Sequence, residues 1–312
     1  MRTSRWAAVA AATNWAGGGL LSDALQESSV TALVLLGFEN DREAEQVLRK
    51  IAELRDAKAE RLAAITGFVS ALYPPGSDGT PRIRPGMIGE WFVVSQLTAR
   101  PALAQALRVG LTEQQAARAL SFLASAADRT ESAAGLFGEF AAGNPRGRIL
   151  AAAHAAMTGH AGRQLLDPVI AEQVRASDEW TIEQLTELNR LIPAHVLLLT
   201  HVALADCTVE LRRAEATDGS AVHQADLALA VQNLGAGLQR VGRYPEALSA
   251  RTEATDIFRQ LASKDPDLYQ QEYQQKLGAL RREYDQHGLH QDAVLHHLAH
   301  PAPQPPPPSP PV

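Results

Sequence analysis

The stretch Asn233-Leu-Gly-Ala-Gly-Leu-Gln-Arg-Val-Gly242-Arg-Tyr244-Pro-Glu-Ala247-Leu248 decides how the chain is read. Val231, Leu234 and Leu238 recur at helical spacing, Gly242 interrupts the pattern, and Ala247, Leu248 and Ala254 resume it. In such a helix-turn-helix, Leu234 and Leu238 form a buried seam. Gly235 and Ala247 are small where the two helices cross closely, Gly242 allows a left-handed turn, and Tyr244 is expected to fill the wedge between the helices. The second helix should run to about residue 262, and Gln232 and Gln239, polar residues of the first helix, are the candidates for lining a partner groove.

In its Asn233-Leu-Gly, Gly242-Arg-Tyr and Glu246-Ala-Leu form this block resembles the tetratricopeptide family. A second copy follows at an offset of 46 residues, with Gly288-Leu-His-Gln-Asp-Ala293-Val aligned on Gly242 to Leu248, and Leu277, Leu280 and Tyr284 matching Val231, Leu234 and Leu238. Arg281 stands where the first copy has Gly235, so the second copy reads as a terminal cap, whose outer face can be polar. Because about three stacked units are needed to bury a continuous core, the helices upstream are expected to complete the stack.

Upstream, Asn40-Asp-Arg-Glu43 can cap a helix that carries Ala44, Val47, Leu48, Ile51 and Leu54 on one face. A helix from about Lys58 to Leu72 must stop at Pro74-Pro75, opening a turn-rich connector that runs to Pro85. Met87 to Leu97 reads as a buried helix with Trp91 and Phe92 in the core, and Pro101 suits the first turn of the next. Thr112-Glu-Gln-Gln115 and Thr181-Ile-Glu-Gln184 have capping-box spacing, the second ahead of Leu185, Leu188 and Leu191. No segment alternates with period two, so the expected class is all-α.

The segments Leu72-Tyr-Pro-Pro75, Ile83-Arg-Pro85 and Ile88-Gly-Glu90-Trp-Phe-Val resemble the region after the nucleotide-binding core of bacterial signalling NTPases of the NACHT and apoptotic types, which carry tetratricopeptide tails. Gly86 replaces the aspartate of that family's Leu-Arg-Pro-Asp motif. The resemblance implies a lid or winged-helix-like region, or a helical bundle, over residues 1–100 and a helical linker or solenoid over 101–220. The repeats then occupy 221–300, and the eight prolines after residue 300 make 301–312 a solvated, disordered tail. The nucleotide-binding core itself is missing: a phosphate loop needs Gly-Lys followed by Ser or Thr, and none of Lys50, Lys58, Lys264 and Lys276 follows a glycine. Gly17-Gly-Gly19 has neither a strand before it nor a lysine after it.

Composition narrows the function further. A net charge of -6 argues against a broad phosphate-binding surface and hence against nucleic acid. The most apolar stretch, Ile192 to Cys207, is interrupted by Pro193, His195, Thr200 and His201, so no membrane span is expected. The opening Met-Arg-Thr-Ser-Arg and its alanine run read as a helix rather than a signal peptide, which points to the cytoplasm. Cys207, alone among apolar neighbours, reads as a small buried hydrophobe. His287, His290, His296, His297 and His300 lack the cysteines or carboxylates of a metal set, and no Gly-x-Ser-x-Gly or His-Glu-x-x-His motif occurs. The chain is therefore expected to be non-enzymatic, without cofactor or metal. Its expected partner is a protein or peptide held on a tetratricopeptide-type surface. The alternative is the sensor half of a regulatory ATPase, partnered by a separate nucleotide-binding protein.

Overall fold

The computed structural model describes residues 22–74, 86–142, 145–158, 162–177, 179–193 and 195–286. Among the described residues the regular elements are fourteen α-helices and two 3-10 turns, with no strand. None of these helices is long and apolar enough to cross a membrane. The histidines from His287 onward, the Gly288 copy, the proline-rich tail, Gly17 to Gly19 and most of the 74–85 connector lie outside the described residues.

The chain divides into two compact units, Met1–Gln173 and Val174–Val312. This division falls inside a helix and differs from the boundaries near 100 and 220 suggested by sequence.

The first unit contains α1 (Asp23–Leu36), α2 (Asp41–Leu48), α3 (Ala59–Leu72), α4 (Gly86–Ala99), α5 (Pro101–Arg108), α6 (Glu113–Ala127), α7 (Glu131–Ala141), α8 (Pro145–Thr158) and most of α9 (Gly162–Arg175). Asn40 caps α2 by accepting from the Glu43 amide, and the Thr112 and Gln115 capping box opens α6. α1 is buried nearly all round from Val30 to Leu36, as befits a helix that touches α2, α3, α4 and α6. Phe137 and Phe140 of α7 are fully buried. The region is helical throughout its described residues; a winged-helix domain would also need a β-hairpin, and none lies among them.

Trp91 departs from its expected place in the core, for its side chain is 57% exposed, while Val93, Val94 and Leu97 of the same helix are buried. Periodicity identifies the face that packs on α1, and Trp91 lies off that face.

The second unit contains α10 (Ile182–Leu191), α11 (Leu198–Glu215), α12 (Ala221–Arg240), α13 (Tyr244–Lys264) and α14 (Pro266–Gln286). Each of these helices packs on the next, most extensively α12 on α13. The Thr181 and Gln184 capping box opens α10, whose Leu185 and Leu188 are buried and whose Leu191 is 41% exposed, at the end of the helix. Trp180 is in the core, donating from Nε1 to the Val174 carbonyl at 2.8 Å. The start of α14 follows that of α12 by 45 residues, and the start of α13 follows that of α11 by 46.

Candidate functional site

The hairpin of α12 and α13 is fixed at two points. At the turn, Arg243 donates to the Leu238 carbonyl at 2.9 Å and Gly242 to Gln239 at 3.0 Å, the paired bonds of a Schellman motif, with Gly242 at φ 79°. At the crossing, a Cβ on Gly235 would stand 3.1 Å from the Ala247 carbonyl oxygen and 2.9 Å from Cγ of Arg251. Gly235 and Ala247 are thus small because two helix backbones meet there.

Leu238, Ala247, Ala250 and Ala254 share a buried cluster with Val202 and Val209 of α11, and Leu234 packs against it partly buried. Leu248 joins a second cluster with Phe258, Leu277, Leu280 and Tyr284, which ties α13 to α14. Tyr244, the first residue of α13, is 45% exposed. The close approach of α11 was not foreseen. Gly237 meets Val202, a Cβ there falling 3.3 Å from Val202 Cγ2, and only a small residue two positions after Gly235 hinted at it.

Bordering these clusters, α12, α13 and α14 line a recess of about 120 Å³, to which α12 contributes Gln232, α13 Arg251, Ala254 and Thr255, and α14 Lys276, Ala279 and Leu280. Gln239, two turns beyond Gln232, accepts from Arg251 Nη2 at 2.7 Å. Gln239 is therefore bonded to an arginine that the sequence reading missed, and that arginine shares the lining of the recess with Gln232. Its signal was a long cation in the small, apolar register of Ala247, Ala250 and Ala254.

Arg251 also forms an ion pair with Glu283 of α14, both side chains less than one-fifth exposed. Burial pushes the Arg251 guanidinium pKa down from its ordinary value. Lys276 pairs with Glu272 one turn earlier at 2.8 Å, and Thr255 donates to the Arg251 carbonyl at 2.8 Å. The buried Oε1 of Gln232 has no hydrogen-bond partner.

The charged side chains that line the recess, Arg251 and Lys276, are each ion-paired with a glutamate of α14. Burial first, then Asp206, pushes the Cys207 thiol pKa up, and its Sγ donates to the Val174 carbonyl at 3.8 Å. No group of three His, Cys, Asp or Glu side chains converges as a metal site among the described residues. Compared with protein-family models, with curated proteins and with solved structures, the chain shows no significant match.

Proposed function

We propose that the chain is a non-catalytic protein-interaction module, in which α12 to α14 act as a tetratricopeptide-type array and hold a peptide segment of a partner protein. The observation that carries this reading is the polar recess to which three successive helices contribute, with Gln232 in its wall and Gln239 bound to Arg251 at its edge. Stacked helix pairs leave such a face open along the array, where a peptide can lie across several helices.

Selection of a random peptide display library on the full chain tests it. The expected result is a set of peptides whose binding is lost with Ala279→Phe, which fills the recess, and kept with Leu268→Ala, whose site is 64% exposed and outside the recess. Selected peptides indifferent to Ala279→Phe would overturn the reading.

A second reading, the sensor half of a regulatory ATPase, is favoured by Met87, Ile88 and Trp91, which are 59%, 48% and 57% exposed within the first two turns of α4. A separate nucleotide-binding protein would cover that apolar face. This reading expects no ATP binding by the chain alone in titration calorimetry; tight, saturable binding would contradict both readings.

A further inference from the structure

Three cations from three elements of the first unit meet at the end of α5. Lys50, just past α2, donates from Nζ to the Val109 carbonyl and, at 3.4 Å, to that of Gly110. Arg148 of α8 donates to the Ala142 carbonyl, to that of Phe140 at 3.4 Å and, from Nη2, to that of Arg108 at 3.4 Å. The two side chains thus land on consecutive carbonyls, those of Arg108, Val109 and Gly110, and Arg108 is itself the last residue of α5. Among the described residues neither Lys50 nor Arg148 has a carboxylate partner. Arg108 faces Glu139 of α7 at 3.8 Å, beyond hydrogen-bond distance, and its guanidinium donates to no other described residue.

These carbonyls belong to the ends of α5 and α7, and a helix end carries about half a negative charge. Two such ends and one carboxylate leave roughly one of the three positive charges uncompensated. Each cation senses the next: burial first, then Arg148, pushes the Lys50 pKa down, and burial first, then Arg108, does the same to Arg148. Lys50 and Arg148 are only partly buried, and the Arg108 side chain is 34% exposed, so a solute can reach all three.

We infer that Lys50, Arg108 and Arg148 form a binding site for a phosphoryl oxyanion, carried by free phosphate or by a phosphorylated side chain. Arg108 brings its whole guanidinium fork, Arg148 keeps its Nε–H and one N–H of Nη2, and Lys50 keeps one N–H. Donors from three elements suit an anion with acceptors on several sides. A carboxylate presents two oxygens in one plane, which a single guanidinium satisfies, and it leaves the other cations as they stand. A phosphate monoester has three terminal oxygens and up to two charges, enough to bridge Arg108 to its neighbours and to compete with Glu139. One local excess charge is compatible with the chain's net charge of -6, which weighs only against a broad phosphate-binding surface. The site belongs to the first unit and does not depend on the peptide groove of α12 to α14.

The test follows the arginine Nε–H signals of the full 15N-labelled chain at constant pH and ionic strength, assigned by their loss in Arg108→Gln and Arg148→Lys. Inorganic phosphate and an end-blocked phosphoserine tripeptide are titrated beside acetate, chloride and the unphosphorylated tripeptide. A saturable shift of both signals with a phosphoryl probe is expected, at a midpoint several-fold below that of acetate. Tighter binding of the phosphopeptide names a phosphorylated side chain as the source; tighter binding of phosphate names the free ion. No saturable shift with either phosphoryl probe, or acetate binding as tightly as they do, would remove the site.

Two variants separate this site from cations that only cap helix ends. Arg108→Gln deletes a guanidinium without a hydrogen bond in the chain, so the fold should stand while phosphoryl affinity falls about tenfold. Glu139→Gln deletes the competing carboxylate and should raise that affinity several-fold. Affinity unmoved by both changes would place the anion elsewhere and refute the assignment.

Discussion

Gly235 of α12 faces the Ala247 carbonyl of α13 so closely that a Cβ on the glycine would stand 3.1 Å from that oxygen. The oxygen belongs to a helix backbone and cannot give way, whereas the neighbouring Arg251 Cγ can. Gly235→Leu is accordingly expected to cost roughly 2–3 kcal/mol by overpacking, as a lowered urea midpoint. Gly278, inside α14 with nothing within 4 Å of an added Cβ, is the matched control: Gly278→Ala should stabilise by about 0.5–1 kcal/mol, from helix propensity alone. Equal destabilisation by the two changes would mean that the crossing is not the reason for Gly235.

Gly242 should resist alanine for a different reason. It has open space for a Cβ, but its φ of 79° is unfavourable for an L side chain. Gly242→Ala is expected to cost about 1–2 kcal/mol, and Gly242→Asn less, in the same denaturation experiment.

The Arg251 and Glu283 pair links α13 to α14 across 32 residues of sequence. Removing one partner leaves a poorly solvated charge, so Glu283→Leu should destabilise by roughly 1–3 kcal/mol, below the fully buried range because both side chains keep some exposure. The double variant Arg251→Leu, Glu283→Leu should recover most of that loss. A double-mutant cycle with no coupling would show that the pair does not join the two helices.

Cys207 supplies a pH signature. Its thiol pKa is raised on folding, so the folded chain holds the proton after the unfolded chain has lost it. This contribution is complete below the unfolded thiol pKa and declines as pH rises above it. Cys207→Ala should flatten the alkaline fall in stability, and the native thiol should react with an aromatic disulfide at pH 8 more slowly than in the denatured chain. Equal rates would contradict the burial.

Much of this fold was readable because its determinants are local. The capping boxes at Thr112 and Thr181, the helix start at Pro101 and the break at Gly242 each depend on a handful of adjacent residues. What escaped depends on distant partners. Gly237 is small because of Val202 on the preceding helix, and Arg251 lines the recess because Glu283 lies one helix later. Trp91 was misplaced because periodicity shows which helix face is apolar but not which apolar residues of a helix reach the core. Of the candidate site, the sequence reading included Gln232 and Gln239 and missed Arg251, which lines the recess with Gln232 and bonds Gln239.

The most direct measurement is calorimetric titration of a display-selected peptide into the native chain and into Ala279→Phe, with both melting curves recorded. The account predicts saturable binding to the native chain and at least a tenfold loss in the variant, about 1.4 kcal/mol, with the melting midpoint preserved. Undiminished binding to a folded Ala279→Phe chain would contradict it.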